Sequence, residues 1–179
     1  MAALAILTFT ALPVLAAPCE SLMSMKLPDT TIISAQAVAA GTFTPPTAGG
    51  SAFASQPAFT QFATLPDFCR VTATLSPSRD SMISIEVWMP ASNWNGKFVA
   101  VGNGGFAGLI SYGALASALK SGYATASTDT GHAGNSGTFA LGHPEKIVDF
   151  AYRAVHEMTV QAKAIINAYY ASAPTLSLW

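Results

Sequence analysis

The sequence predicts an α/β fold in which an antiparallel hairpin is followed by a parallel βαβαβ unit, and three patterns carry that prediction. Residues 71–89 alternate polar and apolar side chains, as half-buried strands do. Phe98 to Val101 is a continuous apolar run that opens into a glycine-rich loop. From Pro144 to Ser172 apolar residues recur at steps of three and four, the period of a helix lying on a sheet.

Taken in order, Met1 to Ala17 is apolar and too short to span a bilayer. It ends in the small residues Val14-Leu15-Ala16-Ala17, as a signal-peptidase site does. It reads as a signal peptide, residues 1–17, of a secreted chain, although no Lys or Arg precedes the apolar stretch. A buried helix is the alternative. Residues 18–179 then make one domain. Cys19 and Cys69 are the two cysteines. In an exported chain two thiols most economically form one disulfide, here closing a loop of roughly 50 residues worth about 4 kcal/mol in the chain-entropy model. Two buried free thiols are the alternative.

Asp29 to Pro66 is rich in Thr, Ala, Gly, Ser and Pro, with Thr44-Pro45-Pro46-Thr47-Ala48-Gly49-Gly50 at its centre. It predicts an extended surface crossing with one or two short strands near Thr31 to Ser34 and Gln36 to Ala40. Val71 to Leu75 and Ser81 to Met89, joined by Ser76-Pro77-Ser78-Arg79-Asp80, form the hairpin, which Pro90 ends. The turn Ala91 to Gly96 leads to Phe98 to Val101, which suits a strand buried on both faces. Tyr112 to Lys120 predicts a short helix and Tyr123 to Thr128 a second buried strand.

The long helix from Pro144 to Ser172 places Ile147, Val148, Ala151, Ala154, Val155, Met158, Ala162, Ile165, Ile166 and Tyr169 on one stripe. Pro144 suits its first turn, Glu145 and Asp149 favour its positive end, and Pro174 prevents continuation. Thr175 to Trp179 begins another strand.

With 51% hydrophobic and 9% charged residues the chain buries a core. A net charge of −1, with no Lys/Arg cluster among aromatics, gives nucleic acid nothing to bind. No membrane partner is expected either.

The order of elements is that of the first half of an α/β-hydrolase sheet. In that fold the nucleophilic serine sits on the sharp turn after the strand with which this sequence ends. One oxyanion N–H comes from the loop after an earlier strand, the place that Gly102 to Gly108 occupies. Glycine has no Cβ to hold a ligand away, so backbone N–H groups at Gly104 or Gly105 can meet a developing oxyanion.

Four blocks, Trp94-Asn95-Gly96-Lys97-Phe98, Gly102 to Gly108, Ser127-Thr128-Asp129-Thr130-Gly131-His132 and Asp149 to Glu157, resemble successive blocks of the tannase and feruloyl esterase family. The resemblance runs from about Cys19 to Trp179. It implies a secreted serine hydrolase whose substrates are small-molecule esters of hydroxylated aromatic acids, such as feruloyl sugars or galloyl esters. It also implies a serine in a Cys-Ser motif immediately beyond Trp179, with the acid, the histidine, a lid domain and a lid calcium site further on. On that resemblance the sequence is an N-terminal fragment without the triad.

The remaining candidates have plainer readings. Gly134-Asn135-Ser136-Gly137 has the wrong spacing for a nucleophile elbow, so Ser136 reads as a loop residue. His132, His143 and His156 each offer a base, yet no serine and orienting group accompany any of them. Asp129 and His132 offer ligands for a substrate or a metal, but bonding to loop backbone at the rim of the sheet explains them better. Arg153 and Glu157, four apart with His156 beside them, read as an ion pair. Trp88, Trp94 and Phe106 offer faces for an aromatic acid, with core or loop packing favoured for Trp88.

Two other functions stay open. Gly102-x-Gly104-x-x-x-Gly108 after a strand also resembles a dinucleotide loop, with Asp129 as a ribose partner in a Rossmann-like oxidoreductase. The hairpin before that strand and the export signal argue against it. A non-catalytic secreted binding module is the other.

Overall fold

The structure, a computed structural model, describes residues 16–46 and 60–179. The predicted signal peptide up to residue 15, and the chain from Thr47 through Gly50, lie outside the described residues.

The described strands are β1 (Thr30–Val38), β2 (Phe68–Leu75), β3 (Ile83–Pro90), β4 (Lys97–Val101), β5 (Ala124–Thr128) and β6 (Leu176–Leu178). They form a mixed sheet in the order β1-β2-β3-β5-β4-β6. β2 runs antiparallel to both β1 and β3, β5 runs antiparallel to β3, and β4 lies parallel between β5 and β6. The chain therefore leaves β4, crosses one face and returns to pair beside the hairpin. In the register Val87 faces Ala126 and Ala126 faces Ala100, so the three central strands bury small and β-branched side chains together.

Among the described residues three α-helices accompany the sheet: α1 (Tyr112–Lys120), α2 (Pro144–Val148) and α3 (Ala154–Tyr170). Strand alternation explains the layers. Ile83, Ile85, Val87 and Met89 project to one face, where Met158, Ala162, Ile165 and Ile166 of α3 cover them. Trp88 projects to the other, where Leu115, Ala116 and Leu119 of α1 pack with Phe43, Phe62, Leu65 and Phe68. Trp88 is a core residue, as its composition favoured.

Several expectations are corrected. The two short strands after Asp29 are one strand, β1, with an irregularity between Ile32 and Ser34 that shifts its register against β2. Phe98 and Ala100 are buried, but Val99 and Val101 are only partly covered, so β4 is not buried on both faces. β5 is.

The long helix is interrupted by a π-turn over Asp149–Arg153. The wider turn rotates the upstream residues against the downstream stripe. Ile147 and Ala151 consequently face solvent, while Asp149 is buried. The stripe holds from Ala154 to Tyr169, and Ala171, in the left-handed region at φ 51°, ends the helix.

Asp149 is thus no exposed partner of a helix end. Its Oδ1 accepts from Arg153 Nε at 2.6 Å and from Ser81 Oγ at 3.0 Å, while Oδ2 has no partner among the described residues. Arg153 also reaches Glu145 at 2.8 Å, so the expected pairing with Glu157 gives way to two acids upstream. Sequence spacing alone made Asp149 and Glu157 equivalent. Burial decides, because a carboxylate left unpaired in the interior costs several kcal/mol, of order 3–5, and one in solvent does not.

Cys19 and Cys69 form a disulfide with Cα atoms 5.5 Å apart, which removes the free-thiol alternative. It fastens a 3₁₀ turn, Cys19–Ser24, against the start of β2, and Ala17 N–H adds a bond to Tyr169 O at 2.8 Å. Among the described residues no helix is long and apolar enough to cross a membrane.

Candidate active site

Because β4, β5 and β6 are parallel, their carboxyl ends lie along one edge of the sheet. Three segments meet there: the glycine loop after β4, the turn after β5, and Trp179 after β6. A Cβ on Gly102 would stand 2.7 Å from the Trp179 indole, so a glycine is needed for that ring to lie against the loop.

Three of the loop's carbonyls are engaged. Gly102 O accepts from Ser111 Oγ at 3.1 Å, Gly104 O from Ala107 N–H at 3.2 Å, and Phe106 O from His132 Nε2 at 3.0 Å. Gly105, second in the turn closed by Ala107, has φ 57°, a conformation glycine adopts without penalty. The N–H groups of Gly104 and Gly105 have no partner among the described residues, and the space where their Cβ atoms would stand is open for 4 Å. A segment with engaged carbonyls and unengaged N–H groups presents positive potential outward, which suits an anionic oxygen.

Asn103 fixes the upstream side of this pair. Its Nδ2 donates to Thr128 O at 2.9 Å and its Oδ1 accepts from Ser111 Oγ at 2.8 Å. Ser111 is itself held by Ser127, whose Oγ accepts the Ser111 N–H at 3.0 Å. The sequence drew attention to the glycines and passed over Asn103 and Ser111, since nothing local marks a contact made 25 residues away.

The turn after β5 is tightly specified. Asp129 Oδ1 accepts N–H bonds from Ser84 at 2.9 Å and Gly131 at 2.8 Å. Burial raises the pKa of this carboxyl, and those hydrogen bonds oppose the rise. Asp129 Oδ1 thereby fixes the turn to β3. His132, 6% exposed, lies flat on Phe139 with ring centroids 3.8 Å apart, and Phe150 meets it edge-on at 5.6 Å. The plain reading of Asp129 and His132, as backbone-bonding groups at the rim, holds.

Phe106 is 51% exposed, next to Gly105, and is backed by Phe150 at 5.5 Å. Trp94 instead stacks on Tyr170 at 4.0 Å and donates to Lys97 O, away from the loop. Ser136 caps the 3₁₀ turn Gly137–Ala140 by accepting the Thr138 N–H. His143 pairs with Asp80 at 3.0 Å, and His156 is exposed on α3. Among the described residues none of the three histidines bonds a serine hydroxyl.

Beneath α1 lies a second polar cluster. Glu86, 5% exposed, accepts from Arg70, from Trp88 Nε1 at 2.8 Å and from Tyr112 OH at 2.8 Å. Burial first, and then the Glu86 charge, push the Tyr112 hydroxyl well above the ordinary tyrosine range. Arg70 is raised chiefly by its bond to Glu86. The cluster anchors the start of α1 to the hairpin and so supports the loop from below. Glu86 and Trp88 share a strand face, and a tryptophan there was the available signal that this face is covered.

The geometry has counterparts. The sequence family described as tannase and feruloyl esterase matches residues 69–179. An uncharacterized esterase of Xanthomonas campestris pv. campestris is 43% identical over 163 residues, covering 90% of this chain and 26% of that protein. A probable feruloyl esterase B-1 of Aspergillus fumigatus is 40% identical, covering 72% of this chain and 23% of its own length. The chain therefore spans about a quarter of the curated relatives it matches. The crystal structure of feruloyl esterase B from Aspergillus oryzae superposes with a TM-score of 0.77 at 32% identity, over 89% of this chain and 30% of that one. The mixed sheet is accordingly of the α/β-hydrolase type.

Proposed function

Because the chain belongs to the tannase and feruloyl esterase family, an ester hydrolase family, we propose that it supplies the oxyanion side of a secreted serine esterase acting on esters of hydroxylated aromatic acids. The observation that carries this reading is the loop after β4, where the Gly102, Gly104 and Phe106 carbonyls are engaged while the Gly104 and Gly105 N–H groups at the carboxyl edge of the sheet have no partner among the described residues. The ester carbonyl oxygen gains negative charge as a serine attacks, and these donors stabilise it. Loss of one such donor costs about 3 kcal/mol of transition-state stabilisation. The alcohol then leaves, and water hydrolyses the acyl-enzyme.

The serine, its histidine and its acid are assigned to polypeptide outside these residues, as are the lid and its calcium. Among the described residues no three His, Cys, Asp or Glu side chains gather to hold a metal. Phe106 supports the aromatic preference, since its exposed ring lies beside the donors with Phe150 behind it. The apolar segment before Ala17 and the disulfide support export.

The test compares two proteins. Residues 18–179 alone are expected to hydrolyse neither methyl ferulate nor methyl gallate above a buffer control. The same sequence expressed with its downstream reading frame is expected to turn over at least one of them, in a manner blocked by a serine-directed inhibitor. Inhibitor-sensitive turnover by residues 18–179 overturns the assignment of the nucleophile. Inactivity of the longer protein toward both esters overturns the substrate class.

A further inference from the structure

We infer that His132 is a positioning residue for ester hydrolysis, holding the Gly104-Gly105 donors in register from the turn after β5. The inference rests on the reading of those donors as an oxyanion site. Phe106 O can only accept a hydrogen bond, so His132 Nε2 carries the proton in the 3.0 Å contact between them. That bond turns the Phe106 carbonyl into the protein. Two residues earlier, Gly104 O is held by the Ala107 N–H, and the Gly104 and Gly105 N–H groups have no partner among the described residues.

The imidazole is aimed by a strained turn. Thr130, a β-branched residue, sits at φ 59°, a conformation costing about 1–3 kcal/mol unless the surroundings over-determine it. Here they do. Thr130 N–H donates to Thr128 Oγ1 at 3.1 Å, Thr130 Oγ1 donates to Asp129 O at 2.6 Å, and Asp129 Oδ1 holds Gly131 N–H. The result is a rigid mount for His132, whose ring is stacked on Phe139 and met edge-on by Phe150. Gly108 completes the contact, donating to Gly134 O at 2.7 Å while its bare Cα abuts the His132 backbone. The Asn103–Thr128 and His132–Phe106 bonds thus tie the loop, on either side of the two donors, to the carboxyl end of β5 and the turn after it.

The test uses the longer protein and methyl ferulate or methyl gallate, whichever it turns over. His132→Leu removes the donor to Phe106 O, and His132→Gln keeps an N–H of similar reach. Misplacement of reacting groups by about 1 Å typically costs near 100-fold, so His132→Leu is expected to lower kcat roughly 10- to 100-fold with KM altered less than about twofold, and His132→Gln to recover most of it. A folded His132→Leu protein with kcat within about twofold of the parent overturns the inference, as does a loss confined to KM. Should His132→Leu fail to fold, His132→Phe, which keeps an aromatic ring on Phe139 but has no N–H for Phe106 O, carries the same expectation and the same overturning result. If the parent protein turns over neither ester, the esterase reading itself falls, which distinguishes that failure from a failure of the positioning role.

Discussion

Gly108→Ala is expected to lower kcat/KM of the longer protein by about 100-fold, the size of effect that follows when a catalytic loop is displaced by roughly 1 Å. A Cβ at this position overlaps His132 O and stands 2.6 Å from His132 Cδ2 and 2.8 Å from the His132 carbonyl carbon. Two of those three atoms are backbone, in a turn already held by Asp129, so the turn cannot yield cheaply. The loop must move instead, stretching the Gly108–Gly134 and His132–Phe106 bonds. Steady-state kinetics together with a thermal unfolding curve check this. A variant with kcat/KM within about threefold of the parent shows that the loop tolerates the displacement and that its close contact with His132 has no catalytic consequence.

The second large effect is on stability. Replacing Cys19 and Cys69 together by alanine is expected to cost about 4 kcal/mol, which for a domain of this size lowers the unfolding midpoint by roughly 8–16 °C. The bridge spans a sequence separation of 50 and ties the amino-terminal turn to β2. Other contacts hold that turn, among them Leu22 in the core and Glu20 Oε1 on the Ala37 N–H at 3.2 Å. A smaller loss is therefore the direction of any departure. Thermal unfolding of the parent with and without reductant, beside the double variant, measures it. A shift below about 2 °C in both comparisons means that those contacts alone fix the segment.

How much of this was legible depended on the distance over which each feature is decided. The hairpin of β2 and β3 was plain because polar and apolar residues alternate within each strand. β5 was plain because a short run of Ala, Thr and Ser after Gly122-Tyr123, with β-branched residues and no charge, suits a buried strand. The π-turn was invisible, since Asp149 to Arg153 has ordinary helix-forming composition and the rotation it causes appears only in what the helix packs against. Asp149 looked like a favourable charge near a helix start. Its burial follows from Ser81, 68 residues earlier in the chain. Arg153 has acids both four before and four after it, and no local rule chooses between them.

At the candidate site the glycines announced themselves, because residues without side chains in a row after an apolar strand are rarely accidental. The grip on them did not. Thr130 carries no mark of a positive φ, and a β-branched residue is a poor guess for one. The link from His132 to Phe106 joins residues 26 apart across two crossings of the sheet. What the sequence supplied was the bonding capacity of Asp129 and His132, and their use followed from the parallel pairing of β4 with β5.

Trp179 gives this arrangement an optical gauge. The indole is 70% exposed and lies against Gly102, whereas Trp88 is sealed in the core and Trp94 is sandwiched on Tyr170. In residues 18–179 taken alone, an aqueous quencher therefore reaches one of these three emitters far more readily than the others, and the accessible part of the fluorescence reports the ring that touches the glycine loop. Any event that lifts the loop or covers it changes the light from its own neighbour, without a label and without a substrate.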